Sequence, residues 1–290
     1  MSEDKKDSIE YEGLTIEDLV KEPTVYRDDL FAGQTIVISG AGTGMGRAMA
    51  ILTARLGANV VICGRRQDKL DEVKQAIAEA TGKEITAQSV NIRDPESVEA
   101  FLESVFETFG RLDTLINSAG GQFSQAAIDF GRKGWLAVID TNLNGTWWMM
   151  QEAAKRWRDR NQPGNIINIA AHVERGMPQS AHSCAARAGV IYVSKTVSTE
   201  WAEHNIRVNC IAPGAIETEG VTQYPPEALA EFHNANPMKK FGDVWDIAQT
   251  AVYLAAPSSK FVTGEVITVD GGMAQHGWVW PMGRPDYFKE

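Results

Sequence analysis

Cysteine is scarce in this chain. Its 290 residues hold three, Cys63, Cys184 and Cys210. They stand far apart in apolar or helical contexts, which argues against a disulfide framework or a metal cluster and for reduced, buried thiols. Long apolar runs are missing as well. None approaches the ~18 residues that a membrane span needs. The start, Met1-Ser2-Glu3-Asp4-Lys5-Lys6-Asp7, is polar and charged and lacks a signal-peptide pattern. Positive charge is in deficit, with a net charge of -10 at pH 7. That balance argues against nucleic acid or an anionic membrane as partner. The expectation is a cytoplasmic protein with a small-molecule substrate and no metal.

What is present is material for a core. Hydrophobic residues make up 43% of the chain, enough for one large α/β domain without staples. The most informative stretch is Thr35-Ile36-Val37-Ile38-Ser39-Gly40-Ala41-Gly42-Thr43-Gly44-Met45-Gly46. Its first five residues read as a buried parallel strand. A glycine turn follows, then helical spacing from Met45 to Leu56, stopped at Gly57. Strand, glycine turn and helix together bind a pyrophosphate, because free N–H groups and the positive helix end face the anion.

Strands and helices then alternate. Strands are expected at Asn59–Cys63, Ile85–Val90, Leu112–Asn117, Asn165–Ala170, Arg207–Ala212 and Val266–Val269. Helices are expected at Gln67–Ala80, Pro95–Phe109, Gly134–Arg160, Ser180–His204, Pro225–Asn234 and Asp243–Ala256. The pattern predicts a Rossmann-type, doubly wound parallel sheet of seven strands with helices on both faces. Residues 1–30 read as an acidic N-terminal arm, in which Thr15 and Asp18 can cap a short helix. The arm is either mobile or packed on a partner subunit. Residues 31–275 form the single domain. Residues 276–290 are an aromatic tail, whose apolar patch reads as a subunit contact.

Another absence bears on cofactor choice. A carboxylate at the end of the second strand would accept from an NAD ribose. The chain has Cys63-Gly64-Arg65-Arg66 there instead. Arg65 and Arg66 would grip a 2′-phosphate, which selects NADP(H).

Several stretches resemble the short-chain dehydrogenase/reductase family. They are Asn117-Ser118-Ala119-Gly120, Thr141-Asn142-Leu143-Asn144-Gly145, Ile206 to Gly214, Val262-Thr263-Gly264-Glu265 and Val269-Asp270-Gly271-Gly272. The resemblance implies that Gly40, Thr43, Gly44, Met45 and Gly46 hold the phosphates. It places Asn91 and Ile92 beside the adenine, and Asn117, Ala119 and Gly120 beside the ribose. Pro213, Gly214, Ile216 and Thr218 would approach the nicotinamide. It also implies a homotetramer.

The family's serine and Y-x-x-x-K pair are missing. Alanine follows strand five, in Ile167-Asn168-Ile169-Ala170-Ala171, and the helix reads His182-Ser183-Cys184-Ala185-Ala186-Arg187. Ser183 stands at the tyrosine position and Arg187 at the lysine position, about 40° apart on one face. Tyr192 lies about 180° from Ser183 on the helix wheel. Arginine cannot shuttle a proton at neutral pH, yet it can still bind a ribose or diphosphate. This combination, with Gly120-Gly121-Gln122-Phe123, resembles the NADPH-dependent enoyl-CoA reductases and their dienoyl-CoA relatives. The resemblance implies reduction of an activated double bond in an acyl-CoA thioester. Asn142 and Ser183 are the candidate hydrogen-bond donors, and His172 and His182 the candidate acids. Gln122 and Phe123 would line the acyl pocket. A carbonyl reductase with an unusual acid, or a silent dinucleotide-binding subunit, are the alternatives.

Arg65→Ala should raise the Michaelis constant for NADPH far more than that for NADH. An equal effect on both would count against the 2′-phosphate assignment.

Overall fold

Every residue of β1 (Thr35–Ser39) is buried, and its side chains divide between two layers. Ile36 and Ile38 enter one core cluster and Val37 the other, as the two-residue period of a strand requires. The computed structural model describes residues 13–224, 229, 231, 232 and 234–276. Seven strands form one sheet: β1, β2 (Asn59–Gly64), β3 (Thr86–Ser89), β4 (Thr114–Asn117), β5 (Gly164–Ile169), β6 (Ile206–Pro213) and β7 (Val266–Val269). Their spatial order is β3-β2-β1-β4-β5-β6-β7, and every pairing is parallel. The order reverses beside β1, between β1 and β4. A ligand crevice is therefore expected beyond the carboxyl ends of these two strands.

Helices cover both faces. On one side lie α1 (Ile16–Leu19), α2 (Gly44–Arg55), α3 (Gln67–Thr81) and α8 (Val244–Ala255), which share the cluster of Ile36 and Ile38. On the other lie α4 (Pro95–Phe109), α6 (Gly145–Asp159) and α7 (Ala181–Glu200). Gly82 and Gly110 end α3 and α4 in the left-handed conformation, at φ 69° in both. All three cysteines are free. Burial pushes the Cys63 thiol up to about 12 and Cys210 up to about 11, so both are inert at neutral pH.

Three expectations need correction. The long helix over Gly134–Arg160 is broken. It becomes α5 (Arg132–Ile139), a π-helical turn (Asp140–Asn144) and α6. The cause is the Asn142 side chain, which is held by the backbone of Gly121 across the domain. The arm does not stand apart either. Arg55 Nη1 donates to the Leu19 and Glu22 carbonyls at 2.9 and 2.8 Å. Trp245 Nε1 donates to the Pro23 carbonyl at 2.9 Å, and Tyr26 Oη to that of Gln249 at 3.1 Å. Leu19 is fully buried, and residues of this segment pack on the core cluster of their own chain. Finally, α7 ends at Glu200 rather than His204, with a 3-10 turn over Ala202–His204. Residues 1–12, most of Pro225–Asn234 and the tail beyond His276 lie outside the described residues.

Leu19→Ala should cost about 2–5 kcal/mol in urea unfolding, the range for a buried leucine. A loss below about 0.5 kcal/mol would mean that the arm contributes nothing to the domain.

Candidate functional site

The glycine turn after β1 is built by close approach. Gly40 takes φ +69°, and a Cβ on it would lie 2.6 Å from the Ala119 Cα. A Cβ on Gly46 would strike the Gly40 carbonyl. Only hydrogen fits at either place, so α2 packs tightly on the sheet with its amino end facing the crevice. That end already answers a negative charge. Gly44 N donates to Glu219 Oε2 at 3.1 Å, and Glu219 Oε1 pairs with the buried Arg47 guanidinium at 2.6 Å. An internal carboxylate thus occupies the helix terminus where phosphates are expected.

The crevice has a volume of about 280 Å³. Gly40, Thr43, Gly44, Met45, Gly46, Arg65, Arg66, Asn91, Ile92, Ala119, Gly120 and Thr218 all line it. At the β2 end it gathers Arg65, Arg66, Lys69 and Arg93, with no carboxylate among the lining residues there. Sequence reasoning missed Lys69 and Arg93. One is a turn along α3 and the other follows β3, and only the fold brings them beside Arg65. A glycine cradle, a helix terminus facing the crevice and a cationic end fit a dinucleotide. Asn117 is not part of the lining. Its Nδ2 donates to Asn168 Oδ1 at 2.9 Å inside the sheet, because strand alternation turns it inward.

A second pocket of about 210 Å³ adjoins the first through Thr218 and Gly220. Gln122, His172, Pro213, Gly214, Ile216 and Thr218 line it, with Tyr224, Phe232 and Phe241 as an aromatic wall. Tyr224 was not singled out from the sequence, where nothing marks it. Here Gln122 Nε2 donates to its hydroxyl at 2.8 Å.

The buried face of α7 meets the crevice through Arg187 at Gly120, while neither Ser183 nor Arg187 is among the residues lining the two pockets. Ser183 is 3% exposed and Arg187 8%. Among the described residues nothing is bonded to the Ser183 hydroxyl. Arg187 Nη1 donates to the Ile169 carbonyl at 2.7 Å, and no acid among the described residues pairs with the guanidinium. Burial pulls its pKa down to about 10. A Cβ on Gly120 would fall on this guanidinium and lie 3.2 Å from Asn142 Oδ1. Gly120, Arg187 and Asn142 therefore form one cluster at the inner end of the crevice. Asn142 spends its amide on a backbone clamp: Oδ1 accepts from Gly121 N at 3.0 Å and Nδ2 donates to the Gly121 carbonyl at 2.9 Å.

Two expected site residues turn elsewhere. His182 is fully buried between the rings of Phe123 and Phe130, at centroid distances of 4.5 and 4.4 Å. Its Nδ1 accepts from Ser183 N at 2.7 Å, and burial lowers its pKa. It does not line the second pocket. Phe123 packs on His182 and Phe130 rather than lining that pocket. Tyr192 is 70% exposed on the far side of α7, with the Lys195 ammonium 5.6 Å from its ring centroid.

The family model described as Enoyl-(Acyl carrier protein) reductase matches residues 40–274. A peroxisomal 2,4-dienoyl-CoA reductase of Arabidopsis thaliana is 34% identical over 261 residues, covering 86% of this chain and 87% of its own. A 3-oxoacyl-(acyl-carrier-protein) reductase FabG of Chlamydia trachomatis is 33% identical over 246 residues, covering 84% and 99%. Among solved structures, the citronellol catabolism dehydrogenase AtuB of Pseudomonas aeruginosa superposes with a TM-score of 0.78 at 32% identity, covering 87% and 99%. The chain belongs to the short-chain dehydrogenase/reductase family and is an oxidoreductase of that family. The family binds a nicotinamide dinucleotide. Among the described residues no helix is long and apolar enough to cross a membrane.

Proposed function

We propose that this oxidoreductase uses NADPH to reduce the carbon–carbon double bond of a 2-enoyl-CoA or similar activated thioester. The observation that carries the reading is the buried face of α7, where Ser183 and a guanidinium stand and no phenol does. Reduced nicotinamide, when bound, supplies a hydride. On the protein side, Arg65 and Arg66 would hold the 2′-phosphate, the α2 terminus the diphosphate, and Arg187 the nicotinamide ribose. Hydride addition at the β-carbon moves charge onto the thioester oxygen, which needs hydrogen-bond donors more than a strong acid. The Ser183 hydroxyl, bonded to nothing among the described residues, would be one such donor. The second pocket, with its aromatic wall, would take the acyl chain.

The relatives support acyl thioesters as the substrate class, since one reduces a dienoyl-CoA by its name. The FabG relatives support a second reading, reduction of a 3-oxoacyl thioester. Cytoplasmic placement and a homotetramer belong to the proposal too. Exposed Trp135, Leu136 and Tyr192 on α5 and α7 support contact between copies.

Crotonyl-CoA and acetoacetyl-CoA should be compared as substrates, following loss of NADPH absorbance. The expected result is a kcat/KM at least about tenfold higher for crotonyl-CoA. A preference for acetoacetyl-CoA would favour the carbonyl reading, and binding of NADPH without turnover on either would favour a silent subunit.

A further inference from the structure

Among the described residues, the pocket assigned to the acyl chain has one phenol in its wall, Tyr224, and α7 does not supply it. Tyr224 follows the 3-10 turn Glu219–Gln223, beyond β6. Its ring meets Phe232 edge-on at 5.5 Å, and Phe232 meets Phe241 at 5.8 Å. This aromatic row fixes the ring, and the hydroxyl projects to Gln122. Gln122 stands on the loop after β4, one residue past Gly121, whose backbone Asn142 clamps through both its N–H and its carbonyl. The hydroxyl is thus located from two sides of the pocket, by the loop after β4 and the turn after β6.

The direction of the Gln122 bond matters. The amide nitrogen donates and the phenol oxygen accepts, at 2.8 Å. A hydroxyl that accepts one bond keeps its own hydrogen for another acceptor. The same amide N–H stabilises negative charge on that oxygen after the hydrogen has left. His172 shares the pocket and is the rival donor.

We infer that Tyr224 donates the proton that completes the reduction, with Gln122 as its positioning residue. The inference rests on the double-bond reading above. In that reaction a hydride forms the new C–H bond at the β-carbon. The π pair of the double bond moves toward the α-carbon and the thioester carbonyl, giving an enolate. The O–H bond of Tyr224 then breaks, and its proton forms the C–H bond at the α-carbon. The electron pair left on the phenolate oxygen takes a proton from solvent. One hydride and one proton are added, the nicotinamide leaves oxidised, and no other reactant is consumed. The phenol missing from α7 is thereby replaced from a different element of the same fold.

The test uses the full chain with Tyr224→Phe, Gln122→Ala and His172→Gln. NADPH affinity is read by fluorescence titration, and crotonyl-CoA reduction in H2O and D2O. Tyr224→Phe should lower kcat by about 100-fold or more, with KM and NADPH affinity within about threefold. Its solvent isotope effect should rise, because protonation by water becomes rate-limiting, which a merely structural role would not produce. Gln122→Ala and His172→Gln should each lower kcat by less than Tyr224→Phe does. The assignment is overturned if Tyr224→Phe keeps the wild-type rate, if it also loses NADPH binding, or if His172→Gln carries the loss. A wild-type chain that turns over acetoacetyl-CoA and not crotonyl-CoA overturns the double-bond reading itself, and the assignment with it.

Discussion

A buried guanidinium with no acid beside it among the described residues is the constraint around which this site is arranged. Taking an ion out of water costs several kcal/mol unless partners repay it. Arg187 has one carbonyl, that of Ile169, and burial holds its pKa down at about 10. Gly120 must be glycine because the guanidinium fills the space a side chain would need. Asn142 is drawn to the same spot, and its clamp on Gly121 breaks the helix into a π turn. In the proposed reading this charge is kept for the sugar and phosphates of the cofactor.

The rest of the fold serves to bring distant segments to that place. The reversal of strand order beside β1 opens the crevice, and the loops after β1, β4 and β6 meet there. The turn after β6 has two tasks. Glu219 reaches back to the α2 terminus and Arg47, while Tyr224, five residues on, lines the second pocket. One short turn thus contributes to both the crevice and the second pocket.

Much of this was legible from local pattern. The apolar run of β1, the glycine spacing after it and the caps at Gly82 and Gly110 each have a short-range physical cause. So does the placement of Tyr192, which helical geometry alone puts opposite Ser183. What escaped depends on contacts far apart in sequence. The helical period runs unbroken through Asp140–Asn144, and only Gly121 reveals why the helix loosens there. The arm has few apolar residues, yet its carbonyls find Arg55 and Trp245. His182 neighbours Ser183 in sequence, but one step along a helix turns it by about 100°, into the Phe123 and Phe130 rings. Glu219 and Tyr224 carry no motif of their own and gain meaning only when β6 lies near β1 and β4.

The most direct measurement replaces the charge and keeps the bulk. NADPH affinity by fluorescence titration and thermal midpoint without cofactor are compared between the wild-type chain and Arg187→Met. If the guanidinium is there for the cofactor, affinity falls by about tenfold or more, and the midpoint stays the same or rises because an unpaired buried charge is gone. Unchanged affinity together with a clear drop in midpoint would contradict this, and would make Arg187 a prop for the fold.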